Sequence, residues 1–182
     1  MKKYLVVISI LFVGLSMSSQ SDLTFEYQIY PTGSIPGLTY DYALGLKSSI
    51  TLRLAANIFD HRDLGVHDGE EGSGFGGSIG YKKYFSESRH RWFWHARTDL
   101  WFNDVTWFDE VGGSQSMSRV EGETSIIVLQ PTLGVGYAIN LGSDFILSPS
   151  LSYGLEWNIQ TEGEPTGEGP IILAGIQIGK RL

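Results

Sequence analysis

Phe145-Ile146-Leu147-Ser148-Pro149-Ser150-Leu151-Ser152-Tyr153-Gly154-Leu155-Glu156-Trp157-Asn158-Ile159 keeps a two-residue period over its whole length. Its odd positions carry Phe, Leu, Pro, Leu, Tyr, Leu, Trp and Ile, and its even positions, after one Ile, carry only Ser, Gly, Glu and Asn. Successive side chains of a strand point to opposite faces, so this period predicts a β-strand with one apolar and one polar face. The same alternation recurs outward in both directions, and no stretch past Gln20 shows the i, i+3, i+4 spacing of an amphipathic helix. Turn residues divide the chain into eight predicted strands near 23–30, 37–45, 49–60, 75–85, 91–108, 124–140, 145–161 and 170–182. Taken together, the apolar parity of these strands occupies 42 positions and carries no charge. Glu26, Asp41, Arg53, Lys82, Arg97, Asp99 and Glu156 all fall on the other parity, among Gly, Ser, Thr, Asn and Gln.

Composition narrows the class. A chain of 182 residues suits one domain. The absence of cysteine excludes a disulfide framework, a thiolate metal site and a cysteine nucleophile. With 23 Gly, 9 Tyr, 9 Phe and 5 Trp, disorder is excluded, and 18% charged residues is low for a soluble domain. A formal charge of −7 argues against nucleic acid as a partner, because phosphates demand clustered Lys and Arg. At the N-terminus, Lys2 and Lys3 precede an apolar run from Tyr4 to Leu15, followed by Ser16, Ser18 and Ser19. That is the layout of a secretory signal peptide, too short to span a bilayer. We expect a Sec-type signal over 1–19, cleaved near Ser18 to Gln20, and one domain over 20–182. Loss of Lys2 and Lys3 takes the charge from −7 to −9.

Alternation permits two opposite proteins: a soluble periplasmic lipocalin-like ligand binder with the apolar parity inside, or a membrane barrel with that parity against lipid. Three features favour lipid. The bulky apolar set, with Trp92, Trp94, Phe102, Tyr153 and Trp157, exceeds what a small interior holds, whereas Gly76, Ser78, Gly80, Gly134, Gly136 and their like suit a crowded lumen. Aromatics gather at strand ends: Tyr42, Tyr81, Trp92, Trp94, Tyr137 and Phe145 at one, Phe75, Phe108 and Trp157 at the other, as interfacial girdles do. Finally, short connections near 45–48, 86–90 and 140–144 alternate with long polar ones at 61–74, 109–123 and 162–169. Only the outward connection at 31–36 is short.

With these features the chain resembles the small eight-stranded outer-membrane barrels of Gram-negative bacteria, in the broad OmpA/OmpX-like and OmpW-like group, over the whole mature length. The resemblance implies an all-β, eight-stranded, antiparallel up-and-down transmembrane β-barrel in the outer membrane. It also implies contact with outer-membrane lipid and lipopolysaccharide, insertion by the barrel-assembly machinery, and a monomer. Members typically end on an aromatic residue; this chain ends Ile176-Gln177-Ile178-Gly179-Lys180-Arg181-Leu182, which keeps the alternation without the aromatic. Pro131-Thr132-Leu133 and Pro149-Ser150-Leu151 repeat a pattern on neighbouring strands. A proline lacks the N–H that a closed barrel needs, so a bulge or kink is expected at each.

The chemistry-bearing residues form three sets. In a narrow lumen, Glu26, Asp41, Arg53, Lys82, Arg97, Asp99 and Glu156 should pair as an ion-pair network, with a narrow pore or proton path as the other reading. The loop from Asp60 to Gly74 holds Asp60, His61, Asp63, His67, Asp68, Glu70 and Glu71, which suit either a solvated loop or a divalent cation bound through carboxylate and imidazole. No EF-hand or zinc-hydrolase spacing is present. Beyond that cation no cofactor is expected. Residues 60–74, 109–123 and 162–169 carry twelve acids against Arg62 and Arg119, so the mature chain's negative charge is concentrated on one rim. Such a rim can repel anions, hold cations that bridge lipopolysaccharide phosphates, or meet a basic partner. No nucleophile motif appears, and His95 and Asp99 share a face but lie roughly 13 Å apart along one strand, so an enzyme is not expected; a lipid A-modifying barrel is the residual case. The functions consistent with these residues are a non-enzymatic outer-membrane barrel with a structural or surface-interaction role, or a narrow channel for small or hydrophobic molecules.

Overall fold

The computed structural model describes residues 21–62, 64–87, 91–113 and 116–182, with backbone alone at Gly113, Ser116 and Met117. The expected signal peptide lies outside the described residues. Eight strands form a closed antiparallel ring in sequence order: β1 (Ser21–Tyr30), β2 (Gly33–Gly45), β3 (Ser48–Arg62), β4 (Gly69–Tyr84), β5 (Arg91–Gly113), β6 (Ser116–Leu141), β7 (Phe145–Glu162) and β8 (Gly169–Arg181). The ring closes through β1 and β8, from Asp22 opposite Arg181 to Ile29 opposite Ala174. Arg181 Nε donates to Asp22 Oδ1 at 3.3 Å and Leu182 N–H to the Ser21 carbonyl at 2.7 Å, so the last residues seal the seam.

The apolar parity faces outward. Leu54 is 75% exposed, Phe75 70% and Leu133 62%. None of the eleven buried hydrophobic side chains of the described residues belongs to that parity. This overturns the lipocalin-like arrangement, which needs the same residues inside. Aromatic pairs mark the belt near the turns after β2, β4 and β6, where Trp92 packs on Tyr137 at 5.0 Å and Tyr81 on Trp94 at 5.6 Å between ring centroids.

Inside, three layers stack along the axis. Tyr84, Phe93, Ala138 and Ile146 form an apolar plug at the end that carries both termini. Ile35, Trp101, Val105, Ile126, Val128, Ile171 and Leu173 form a larger one toward the other end. Charged residues lie between: Lys82 Nζ sits 5.0 Å from the Phe93 ring and the Arg53 guanidinium 5.8 Å from the Trp101 ring. Glycine makes this possible. A Cβ on Gly76 would stand 2.3 Å from the Trp101 ring and 2.4 Å from the Leu100 carbonyl oxygen, and one on Gly136 would stand 2.3 Å from the Phe93 ring.

Two expectations about the connections need correction. The stretch at 109–123 is not a loop but the tip of a β5–β6 hairpin, which pairs from Asp109 opposite Val120 to Gly113 opposite Ser116. Likewise 61–74 is mostly paired strand, His61 opposite Glu70 and Arg62 opposite Gly69, leaving only a short loop. Outside an apolar belt both parities of a strand can be polar, so alternation vanishes while pairing continues. The prolines also behave differently from expectation. Leu129 opposite Trp157 and Thr132 opposite Gly154 keep one register across Pro131, and Gly136 opposite Ser150 and Ile139 opposite Leu147 keep it beside Pro149. The β6–β7 ladder skips two rungs at each proline without bulging. Its one register shift lies at Ile127/Val128.

Replacing Gly76 by Ala should destabilise the barrel by about 1–3 kcal/mol, the usual range for overpacking. Gly77→Ala should be tolerated, because its Cβ would meet nothing closer than 3.4 Å. The temperature at which the compact form is lost in SDS electrophoresis would rank the two.

Candidate functional site

Six of the seven predicted lumenal charges converge. Arg97 Nη1 donates to both Glu26 carboxylate oxygens at 3.1 and 3.2 Å, and its Nε donates to Asp99 Oδ2 at 3.2 Å. Arg53 Nε lies 3.1 Å from Glu26 Oε2 as an ion pair without hydrogen-bond alignment, and Arg53 Nη1 lies 3.6 Å from Asp99 Oδ1. Both guanidiniums donate to Gln28 Oε1 at 2.8 Å. Lys82 pairs with Asp41, which also accepts from Thr51, while Thr39 donates to Glu26 and Ser78 to Asp99. Gln28 is the member that alternation did not single out; as a neutral residue on the polar parity it gave no signal.

Glu156 is the exception. It faces inward as expected, yet it stands beyond the larger apolar plug, beside Tyr30, Asn57 and Asn158, and forms no ion pair among the described residues. Parity fixes the face of a residue and not its height along the barrel. With Glu156 removed, the network holds three acids and three bases and is neutral.

The outer mouth carries a second constellation. Glu70 turns inward, and its carboxylate accepts from the N–H of Val66 at 3.1 Å and of His67 and Gly167 at 3.4 Å, tying the β3–β4 loop to the β7–β8 loop. His67 stacks on Trp107 with centroids 4.1 Å apart; its Nδ1 is 2.9 Å from Asp109 Oδ2 and its Nε2 is 3.1 Å from the Pro165 carbonyl oxygen. Asp68 and Asp109 lock the same contact, each accepting from the backbone of the other's strand: Asp68 N–H to Asp109 Oδ1 at 3.0 Å, and Glu110 N–H to Asp68 Oδ2 at 2.7 Å. The result is a latch over the barrel mouth.

The predicted cation set is thereby dispersed. His61 Nε2 lies 3.5 Å from Glu70 Oε2, but Asp60, Asp68 and Glu71 are exposed, and His67 is committed to Asp109. Asp63 lies outside the described residues. Among the described residues no three His, Asp or Glu side chains gather to hold a metal. Neighbours in sequence such as Glu70 and Glu71 sit on a strand and so point to opposite faces. The structure does bring His95 Nε2 to within 3.2 Å of Ser152 Oγ, a pair the sequence did not suggest. Both are buried in the lumen wall, and no acid bonds to His95 among the described residues, which leaves the pair without the third group that orients a catalytic base.

No protein-family model matches the sequence, and no curated protein does. Among solved structures, the N-terminal β-barrel domain of Pseudomonas aeruginosa OprF superposes with a TM-score of 0.50 at 14% identity, covering 90% of this chain and 97% of that one. Ail, the attachment invasion locus protein of Yersinia pestis, superposes with a TM-score of 0.50 at 11% identity, covering 91% of this chain and all of that one. The fold is that of the eight-stranded outer-membrane barrels. Within that barrel fold the lumen here is a plug, with charge held between two apolar layers.

Removing one partner of a buried pair costs about 3–5 kcal/mol, because the other charge is left uncompensated. Arg97→Met should therefore lower the unfolding midpoint in denaturant far more than the paired change of Arg97→Met with Glu26→Gln. At the mouth, the hydrogen bond from His67, and next the one from the Asp68 backbone, hold the Asp109 carboxyl below the ordinary aspartate value of 3.8. A lowered carboxylate stabilises the latch at every pH above that ordinary value, and the stabilisation is lost as pH falls through the lowered one. Trp107 fluorescence should stay constant from neutral pH to the ordinary aspartate range and change below it, and Asp109→Asn should abolish that transition.

Proposed function

We propose that the protein is an integral outer-membrane barrel without enzymatic activity that stabilises the envelope and presents a projecting acidic hairpin at the cell surface. The observation that carries this reading is the outward apolar belt around a filled interior. A soluble protein rarely exposes a contiguous apolar surface of this extent, whereas lipid requires it. Lipid and lipopolysaccharide are its surroundings, and the barrel-assembly machinery is its route of insertion. We read it as a monomer, since the ring leaves no open edge within the belt.

The surface role rests on the β5–β6 tip. Pairing of β4 with β5 ends at Gly69 opposite Phe108, and pairing of β6 with β7 ends at Ser125 opposite Glu162. Beyond those rungs the hairpin continues past the latch, where His67 and Asp68 hold Asp109 and Glu110, and its free β6 edge carries Glu121 and Glu123, with Arg119 bound to Glu121 and packed 3.8 Å from the Phe108 ring. An unpaired strand edge bearing acids suits a basic partner or a surface bridged by divalent cations. Ail, one of the structural neighbours, is named for attachment, which agrees with a role outside the cell. The channel reading is the weaker one, because the two apolar plugs and the neutral network occupy the lumen.

Topology tests the proposal directly. The chain contains no cysteine, so single cysteines report position cleanly. Val120→Cys at the hairpin should react with a membrane-impermeant maleimide on intact cells, and Leu46→Cys in the β2–β3 turn only after the outer membrane is opened. The purified protein should require detergent and migrate faster in SDS before boiling than after. The opposite labelling pattern, or recovery without detergent, would overturn the reading.

A further inference from the structure

The outward face of the barrel holds an apolar valley that runs across the strands. Two rows of outward side chains form its walls: Trp94, Val135 and Leu151 on the side nearer the termini, Leu133, Tyr153 and Ile172 on the other. Rows two residues apart along a strand stand roughly 7 Å from each other. Between them Gly134 and Ser152 belong to the inward parity, so the floor is backbone. The first row continues to Ala174 and the second begins at Ala96, both too small to close the valley. The groove measures about 460 Å³, and no charged side chain lines it. Its course follows from the register. The row that starts at Trp94, three residues inside the inner end of β5, passes through Val135, Leu151 and Ala174 to Ile29, one residue from the outer end of β1. The valley therefore climbs from the aromatic girdle into the apolar belt.

A cation faces outward beside its lower end. Lys83 has the parity of Ile79 and Tyr81 and stands opposite Trp94, whose ring packs 5.6 Å from that of Tyr81. No acid bonds to Lys83 among the described residues, and Glu87, the one acid between β4 and β5, is held by Lys47 at 3.4 Å.

We propose that the valley seats one anionic phospholipid of the inner leaflet, its acyl chain between the two rows and its headgroup phosphate on Lys83. This rests on the outer-membrane reading and names a partner within it. Indole and phenol rings lie at headgroup level, which puts Lys83, two residues beyond Tyr81 toward the turn, at the depth of a phosphate. A lysine extends its ammonium on an apolar stem to reach such a group. Chain and headgroup are recognised together, which ordinary boundary lipid is not. Lipid A is the poorer fit, because the valley opens at the end that carries the termini and the opposite rim is acidic.

The test is native mass spectrometry of the full barrel, purified in mild detergent and titrated with phosphatidylglycerol or phosphatidylcholine. One phosphatidylglycerol should bind more tightly than any that follow, and more tightly than phosphatidylcholine. Lys83→Gln should weaken that first event by about tenfold, the scale of one charged contact. Val135→Trp, which thickens a wall toward the floor, should weaken it for both lipids. Lys180→Gln serves as the control: Lys180 faces outward at the same end, opposite Phe145, but lies roughly 20 Å along β8 from Ala174. It should leave binding unchanged. Each variant should keep the compact unboiled band, so a loss of binding is not a loss of fold. Lipids that bind with no distinct first event, an equal preference for phosphatidylcholine, or an equal effect of Lys83→Gln and Lys180→Gln would reduce the site to boundary lipid and overturn the proposal. Recovery of the native protein without detergent would instead overturn the outer-membrane reading beneath it.

Discussion

Closing eight strands into a ring leaves an interior about wide enough for side chains to meet across it, and that narrowness governs the rest of the molecule. Any charge that enters is stripped of water and must find its opposite within the same few ångströms. Glu26 accordingly touches both Arg97 and Arg53, and Asp99 reaches both arginines from the other side. Glycine on the inner wall is the steric counterpart of this constraint. Trp101 and Phe93 fit only because Gly76 and Gly136 present no Cβ to them. The interior is thus solved jointly by charge balance and by volume, and a change to either is felt by the other.

The outer face was readable from the alternation because a single physical demand acts on it: contact with hydrocarbon forbids charge, and 42 positions obeyed. The lumen was readable only in part. Parity placed Glu26 and Glu156 on the same face, but nothing local encodes that one lies within the charged layer and the other beyond an apolar plug. The inward Phe93 and Trp101 were equally silent, since an aromatic on the polar parity looks like an interruption until its glycine partner on the adjacent strand is known. Those partners are 43 and 25 residues away, Gly136 after Phe93 and Gly76 before Trp101, joined by strand register and not by proximity in the chain.

The mouth was the least legible region, for a related reason. Where a strand leaves the belt, neither face is selected for apolarity, and the two-residue signal that identified the barrel disappears. Asp109 and Glu110 read as loop although they are paired to Val120 and Arg119. The acid-rich stretch from Asp60 to Glu71 read as a candidate ligand set because its residues are close in sequence. The strand geometry then separated Glu70 from Glu71 and gave Glu70 to backbone donors of two loops. His67, placed in the same set, instead bridges Trp107, Asp109 and Pro165 from three different segments.

The position of Glu156 follows from the same accounting of charge. Within the middle layer a fourth acid would face three bases and be left buried with an uncompensated charge, at a cost of several kcal/mol. At the outer cavity it is partly reached by solvent. The apolar cluster therefore does more than fill space: it divides the lumen into a lower compartment that is closed, balanced and structural, and an upper one that is open toward the mouth and unbalanced. A surplus charge in a barrel this narrow is tolerated only in the second compartment.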